Sequence, residues 1–347
     1  MPKILIDKPG EWIERAGPEP ETVLSTHGSL ARNLADLPFT SRCSDDERRA
    51  VEERALQAFE NAGLLSTGSY IPLTELHARE VRMLIERHLI TRQLLEGRGP
   101  RGAYIAHDQS LSVMVNERDH LRIAAIASGL QPDEVWARLN QLDDQLGESL
   151  EFAFHERRGY LTSSLDEVGT ALKLAAVLHL PGLNATKQIL AVEKTARQEH
   201  HVLTGVFNGV SEAPGDLFTL SNRGTLGRSE GEIAFHLRTL ALAIVAKEKS
   251  ARETLLGDGV RSVADRVGRA LGIARGARLL EFKEALSLLS SLRLGVATGQ
   301  LDAYSYRDLD EVLVTSQPAH LECKSGGALD ELMQSIARAD LFRNRFS

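Results

Sequence analysis

In Asn116-Glu117-Arg118-Asp119-His120-Leu121-Arg122 a carboxylate ends one apolar run and an arginine opens the next. A carboxylate so placed can accept a proton, and an arginine fork can bind phosphate through two parallel hydrogen bonds. The spacing therefore predicts a general base, Glu117, beside a phosphate ligand, Arg122. The adjacent His200-His201 pair predicts no metal site, because neighbouring strand residues point to opposite faces. Cys43 and Cys323 are far apart and lack metal-ligand spacing. They read as free thiols of a reducing compartment, and no metal is expected.

These residues need elements to hold them. Apolar runs at 103–107, 112–116 and 121–128, with turn-length gaps, predict antiparallel strands. Ser44-Asp45-Asp46-Glu47 is a capping box opening a helix to about Asn61, and a second helix fits 75–90. After Pro132, Val135, Leu139, Leu142, Leu146 and Leu150 recur at helical spacing, predicting a helix that ends near Gly159. A strand at 160–162, a helix over 184–198, strands at 202–207 and 217–222, and a long helix capped by Ser229 and reaching about Leu256 follow. The first forty residues read as extended and loop-rich. Gly257 and Gly259 mark a boundary, beyond which the pattern is mainly helical. The expected division is an N-terminal extension over 1–21, a domain over 22–256 and a helical domain over 257–347.

The 347 residues suffice for about two domains, and 42% apolar content supports ordinary cores. A net charge of −7 without a basic block argues against a nucleic-acid partner. No stretch approaches the ~20 apolar residues of a membrane helix, and the N-terminal apolar run is too short for a signal peptide. A cytoplasmic location is expected.

The 116–122 segment resembles the Asn-Glu-Glu-Asp-His-Leu-Arg signature of the ATP:guanido phosphotransferases, most closely that of the bacterial protein-arginine kinase branch. Residues 23–34 resemble the family's first nucleotide loop. Gly159-Tyr160-Leu161-Thr162, Val168-Gly169-Thr170, His179-Leu180-Pro181-Gly182-Leu183, Thr225-Leu226-Gly227-Arg228-Ser229-Glu230 and Ser316-Gln317-Pro318-Ala319-His320-Leu321 follow in family order. The resemblance implies an α/β (α+β) fold: a large, mainly antiparallel sheet flanked by helices, then a helical C-terminal domain. It implies phosphoryl transfer from Mg-ATP to a guanidinium, with Glu117 as the acid-base residue. The implied nucleotide positions are Ser25, His27, Ser29, His88, Arg122, Lys173 and Thr204. Asn208 and Gly209 fall in the implied substrate loop, and Gln334, Ser335 and Arg338 at the implied phosphoarginine-receptor position.

The chain departs from that pattern. His27, Ser29 and Thr204 stand where the family has arginines, Lys173 replaces another, and Gly209 replaces an acid. Ser164-Leu165-Asp166-Glu167 replaces Cys-Pro-Thr-Asn and brings two carboxylates towards the phosphate positions. Arg223 and Arg228 are candidate replacement cations. The expected function is that of a catalytically impaired arginine-kinase-like protein with a regulatory or binding role. The alternatives are an active divergent kinase and a nucleotide-binding module without transfer. Mg-ATP is the implied cofactor only if the activity persists. The resemblance also implies protein partners: a second copy, an active arginine kinase or a protease-associated protein. Leu286, Leu288, Leu289 and Leu292 are expected either to form that contact surface or to fill the domain's own core.

Overall fold

The computed structural model describes residues 9–207 and 213–347. Its strands are β1 (Val23–Arg32), β2 (Gly68–Pro72), β3 (Gly102–Ala106), β4 (Leu111–Val115), β5 (Leu121–Ser128), β6 (Phe154–His155), β7 (Gly159–Tyr160), β8 (Leu172–His179), β9 (His201–Gly205) and β10 (Leu217–Asn222). Among the described residues, eight of them form one sheet in the order β2-β3-β4-β5-β1-β8-β10-β9, and β6 pairs with β7. Every pairing is antiparallel.

The expected helices over 45–61 and 230 onward begin at complete capping boxes on Ser44 and Ser229. The expected strands at 112–116, 121–128 and 217–222 appear as β4, β5 and β10. Other elements differ. Residues 23–32, in the stretch expected to be extended and loop-rich, form β1 in the middle of the sheet. Its polar run is hard to read because one face lies on a cleft and the other holds Gly28. A Cβ added there would come within 2.5 Å of Val135, so the helix over Pro132–Gly147 sits directly on the strand. That helix stops at Gly147 rather than near 159. Past it the chain extends and bonds back to the β1 end, Ala35 N to Glu151 O and Ala153 N to Asn33 O. The expected 184–198 helix is broken at Lys187, whose φ is 59°. The helix of Glu230–Gly276 runs on past Leu256, with a kink at Gly259.

Period-2 alternation gives the sheet two unlike faces. Leu172, Leu174, Ala176 and Leu178 of β8 enter the main core with Val135, Leu139, Leu237 and Ile244 of the covering helices. On the other face, the helix of Ala78–Glu86 covers β3 and β4 through Val81, Leu84, Ile105 and Met114. Beyond that helix the face stays open as a cleft. The C-terminal helices have their own core, which takes in Leu288, Leu289 and Leu292, while Leu286 is 2% exposed. These leucines therefore do not form an exposed contact surface; several helices packed together bury them from more than one side.

Polar contacts join the parts. Glu86 caps the helix of Pro318–Ser325, accepting from Ala319 N at 2.8 Å, His320 N at 3.0 Å and His320 Nδ1 at 2.7 Å. Arg32, at the end of β1, donates Nε to Asp143 Oδ1 at 2.9 Å and Nη2 to Oδ2 at 2.7 Å. Its guanidinium also lies 3.5 Å from the Tyr160 ring centre. The pair is buried, and removing one partner leaves the other charge uncompensated. Asp143→Ala is expected to destabilise the fold by about 3–5 kcal/mol. Chemical denaturation checks this, and a loss under ~1 kcal/mol would contradict the role given to the pair.

Candidate active-site cleft

Strand register brings the candidate residues together. Ser29 pairs with Ala124 of β5 and Lys173 of β8, and His27 with Ile126 and Ala175. By alternation Ser25, His27 and Ser29 share the open face. His27, Ser29, His88, Thr91, Arg122 and Lys173 line one cavity of about 390 Å³. Thr204 lies with Lys173 along a neighbouring cavity of about 400 Å³.

Arg122 is 7% exposed, and two carboxylates hold it. Nε lies 3.3 Å from Glu117 Oε2, Nη2 lies 2.9 Å from Glu167 Oε2, and Nη1 donates to Ser29 Oγ at 3.1 Å. Glu117 has no idle oxygen. Its Oε1 accepts from Thr91 Oγ1 at 2.6 Å, and its Oε2 also accepts from Arg118 N at 2.6 Å. Burial pushes the Glu117 carboxyl up, but the Arg122 charge and these hydrogen bonds outweigh it, leaving it below the usual range. An inward-facing, fully bonded carboxyl whose pKa is lowered is poorly suited to take up a proton.

His27 and His88 meet edge to face, their ring centres 4.9 Å apart. His27 Nε2 is 2.8 Å from Ser25 Oγ. Desolvation where the two rings meet lowers His88 to about 4, with its outer edge still open to solvent, and desolvation with the His88 neighbour lowers half-buried His27 well below its ordinary value. A neutral His27 cannot supply an arginine's charge at pH 7. The family positions on β1 thus offer an imidazole and a hydroxyl, and the remaining arginine is already neutralised. This set does not fit a triphosphate held by arginine forks.

The family model described as "ATP:guanido phosphotransferase, C-terminal catalytic domain" matches residues 50–251. The model described as "Protein-arginine kinase McsB C-terminal domain" matches residues 260–347. The chain belongs to the ATP:guanido phosphotransferase family. It is 39% identical to the protein-arginine kinase of Symbiobacterium thermophilum, across 97% of this chain and 96% of that protein. It is 36% identical to the protein-arginine kinase of Bacillus subtilis, across 98% of this chain and 94% of that protein. Among solved structures, it resembles the substrate-free duplicated taurocyamine kinase of Schistosoma mansoni, with a TM-score of 0.61 and 21% identity. That match covers 80% of this chain and 41% of the duplicated protein, and bears on fold alone.

Set against the family motif, Arg118 stands at the second glutamate of Asn-Glu-Glu-Asp. Its side chain lines the cavity with Lys173, Thr204 and Arg223, while Glu117 turns inward. The residue presented to the cleft at this turn is therefore a cation. The signal was in the motif itself, in the departure at its third position. Arg228 does not line the described cavities.

In the helical domain, Arg338 is 2% exposed, donating Nε to Ser316 O at 2.8 Å and Nη1 to Leu280 O at 2.9 Å. It ties helices together and presents no free fork. Gln334 donates its amide to Leu329 O, and Ser335 accepts Leu280 N through its carbonyl. The three receptor positions therefore serve local structure. Asn208 and Gly209 lie outside the described residues. Among the described residues, no group of three His, Cys, Asp or Glu side chains could hold a metal ion, and no helix is long and apolar enough to cross a membrane.

Histidines held neutral by the fold, four of them buried, link the structure to acid stability. His27, His88, His120, His179, His201 and His320 all have lowered values, with burial the largest cause for each. As pH falls below 6.5 the unfolded chain takes up protons that the folded chain refuses, so stability present above that pH is lost. The thermal midpoint is expected to drop between pH 7 and pH 5, with a shallower drop in His179→Gln, which removes a fully buried ring. A pH-independent midpoint would contradict the neutral state of these rings.

Proposed function

We propose that this chain is a non-catalytic member of the protein-arginine kinase branch, acting by binding rather than by phosphoryl transfer. The observation that carries the reading is the Arg122 tie. The arginine retained at the family positions is neutralised by Glu117 and Glu167, and Arg118 faces the cleft beside it. Phosphoryl transfer depends on free cations around the moving group, and a single arginine in that role is worth ~10³–10⁵ in rate. A guanidinium acceptor must meet a carboxylate and lose a proton. Here it would meet Arg118 instead. Like charges 4 Å apart at an effective dielectric of 20 repel by about 4 kcal/mol. The reading places the protein in the cytoplasm with protein partners: a second copy, an active arginine kinase or a protease-associated protein.

One observation favours a second reading, an active divergent kinase. The chain aligns nearly end to end with proteins named protein-arginine kinase at 36–39% identity. Arg118, Lys173 and Arg223 would then be its relocated phosphate ligands.

The two readings separate on turnover. Purified protein with Mg-ATP and an arginine-rich acceptor is expected to yield phosphoarginine at least ~10³-fold more slowly than the B. subtilis relative, by mass spectrometry. A rate within tenfold of the relative, lost in Arg118→Ala, would overturn the non-catalytic reading.

A further inference from the structure

Arg118, Lys173 and Arg223 converge on one cleft of about 400 Å³ from separate parts of the sheet. Arg118 comes from the turn between β4 and β5, Lys173 from β8, and Arg223 from the residue after β10. All three are exposed, and among the described residues none of their side chains is paired with a carboxylate. Of the two acids lining the cleft, Glu167 is held by Arg122 and Asp166 is free. Among the described residues, free charge in the cleft is therefore three cations against one carboxylate. Thr204 and Ser221 add hydroxyl donors to the same wall.

Such a cleft repels a guanidinium and attracts an anion. A phosphoryl group fits better than a carboxylate. It carries close to two charges and three acceptor oxygens, and the planar forks of two arginines can each bind it through two bonds. We infer that this cleft binds a phosphoryl-type dianion through Arg118, Lys173 and Arg223, and that Arg118, at the motif's glutamate position, sets this charge preference. The inference rests on the non-catalytic reading of the same cleft. The dianion has two possible sources, free phosphate or a phosphorylated side chain.

Isothermal titration of the full chain without nucleotide tests it, using inorganic phosphate, a phosphoserine peptide and the peptide's unphosphorylated twin. Saturable binding of the phosphopeptide is expected, weakening as salt rises. The twin should bind at least about tenfold more weakly. Phosphate binding alongside points to free anion as a sufficient ligand; phosphopeptide binding alone points to a side chain as the source. Either supports the site. Arg118→Glu should weaken binding by about tenfold or more, while Arg118→Lys, which keeps the charge but loses the fork, should weaken it less than Arg118→Glu does. Both variants should keep the parent melting temperature, because this exposed side chain has no partner to lose. Equal affinity for the twin, no binding of either phosphorylated probe, or unchanged affinity in Arg118→Glu would overturn the inference. None of these results depends on turnover, so failure here is distinct from the appearance of kinase activity.

Discussion

A buried guanidinium must be neutralised, and Arg122 meets that requirement in a way that organises the whole cleft. An arginine keeps its charge at any working pH, and desolvating it without a partner costs several kcal/mol. Glu117 and Glu167 supply the balance from opposite sides, one from the β4–β5 turn and one from the segment before β8. Ser29 of β1 and Thr91, beyond the helix of Ala78–Glu86, complete the hydrogen bonding. Four parts of the chain are thereby held at one point. The carboxylate that the motif offers as a base is consumed in doing so, and its neighbour Arg118 is left facing the cleft.

The same economy of charge recurs where the C-terminal helices meet the rest. Glu86 bonds two backbone N–H groups at the start of the helix of Pro318–Ser325, where the helix dipole favours an anion. His320 donates Nδ1 to Glu86 and accepts from Arg87 at Nε2, which fixes it as a neutral ring. Arg338 satisfies two carbonyls between helices instead of offering its fork to a ligand. Residues that the family resemblance associates with recognition are here bound into architecture. The pattern runs through both parts of the molecule.

Much of the fold was legible in the sequence because local signals and tertiary needs agreed. The Ser44 and Ser229 capping boxes, the β4 and β5 runs and the apolar row from Val135 to Leu146 all read correctly. β1 and β8 did not. β1 alternates small and polar residues because one face is a cleft and the other is pressed against a helix. β8 reads Leu-Lys-Leu-Ala-Ala-Val-Leu-His, a short apolar run whose period does not separate strand from helix.

By itself, the sequence determined the family and the two-part organisation of sheet and helices. These follow from collinear motifs, hydrophobic period and residue identity, all properties of the chain as a string. Only the tertiary structure decided which charges remain free. It set Glu167 on Arg122, turned Glu117 inward and Arg118 outward, set His27 as a neutral ring against His88 and locked Arg338 onto carbonyls. The reason is physical. Coulomb interaction and desolvation depend on distance and burial, and strand register, not sequence spacing, brings residues 29, 122, 167 and 173 to one place.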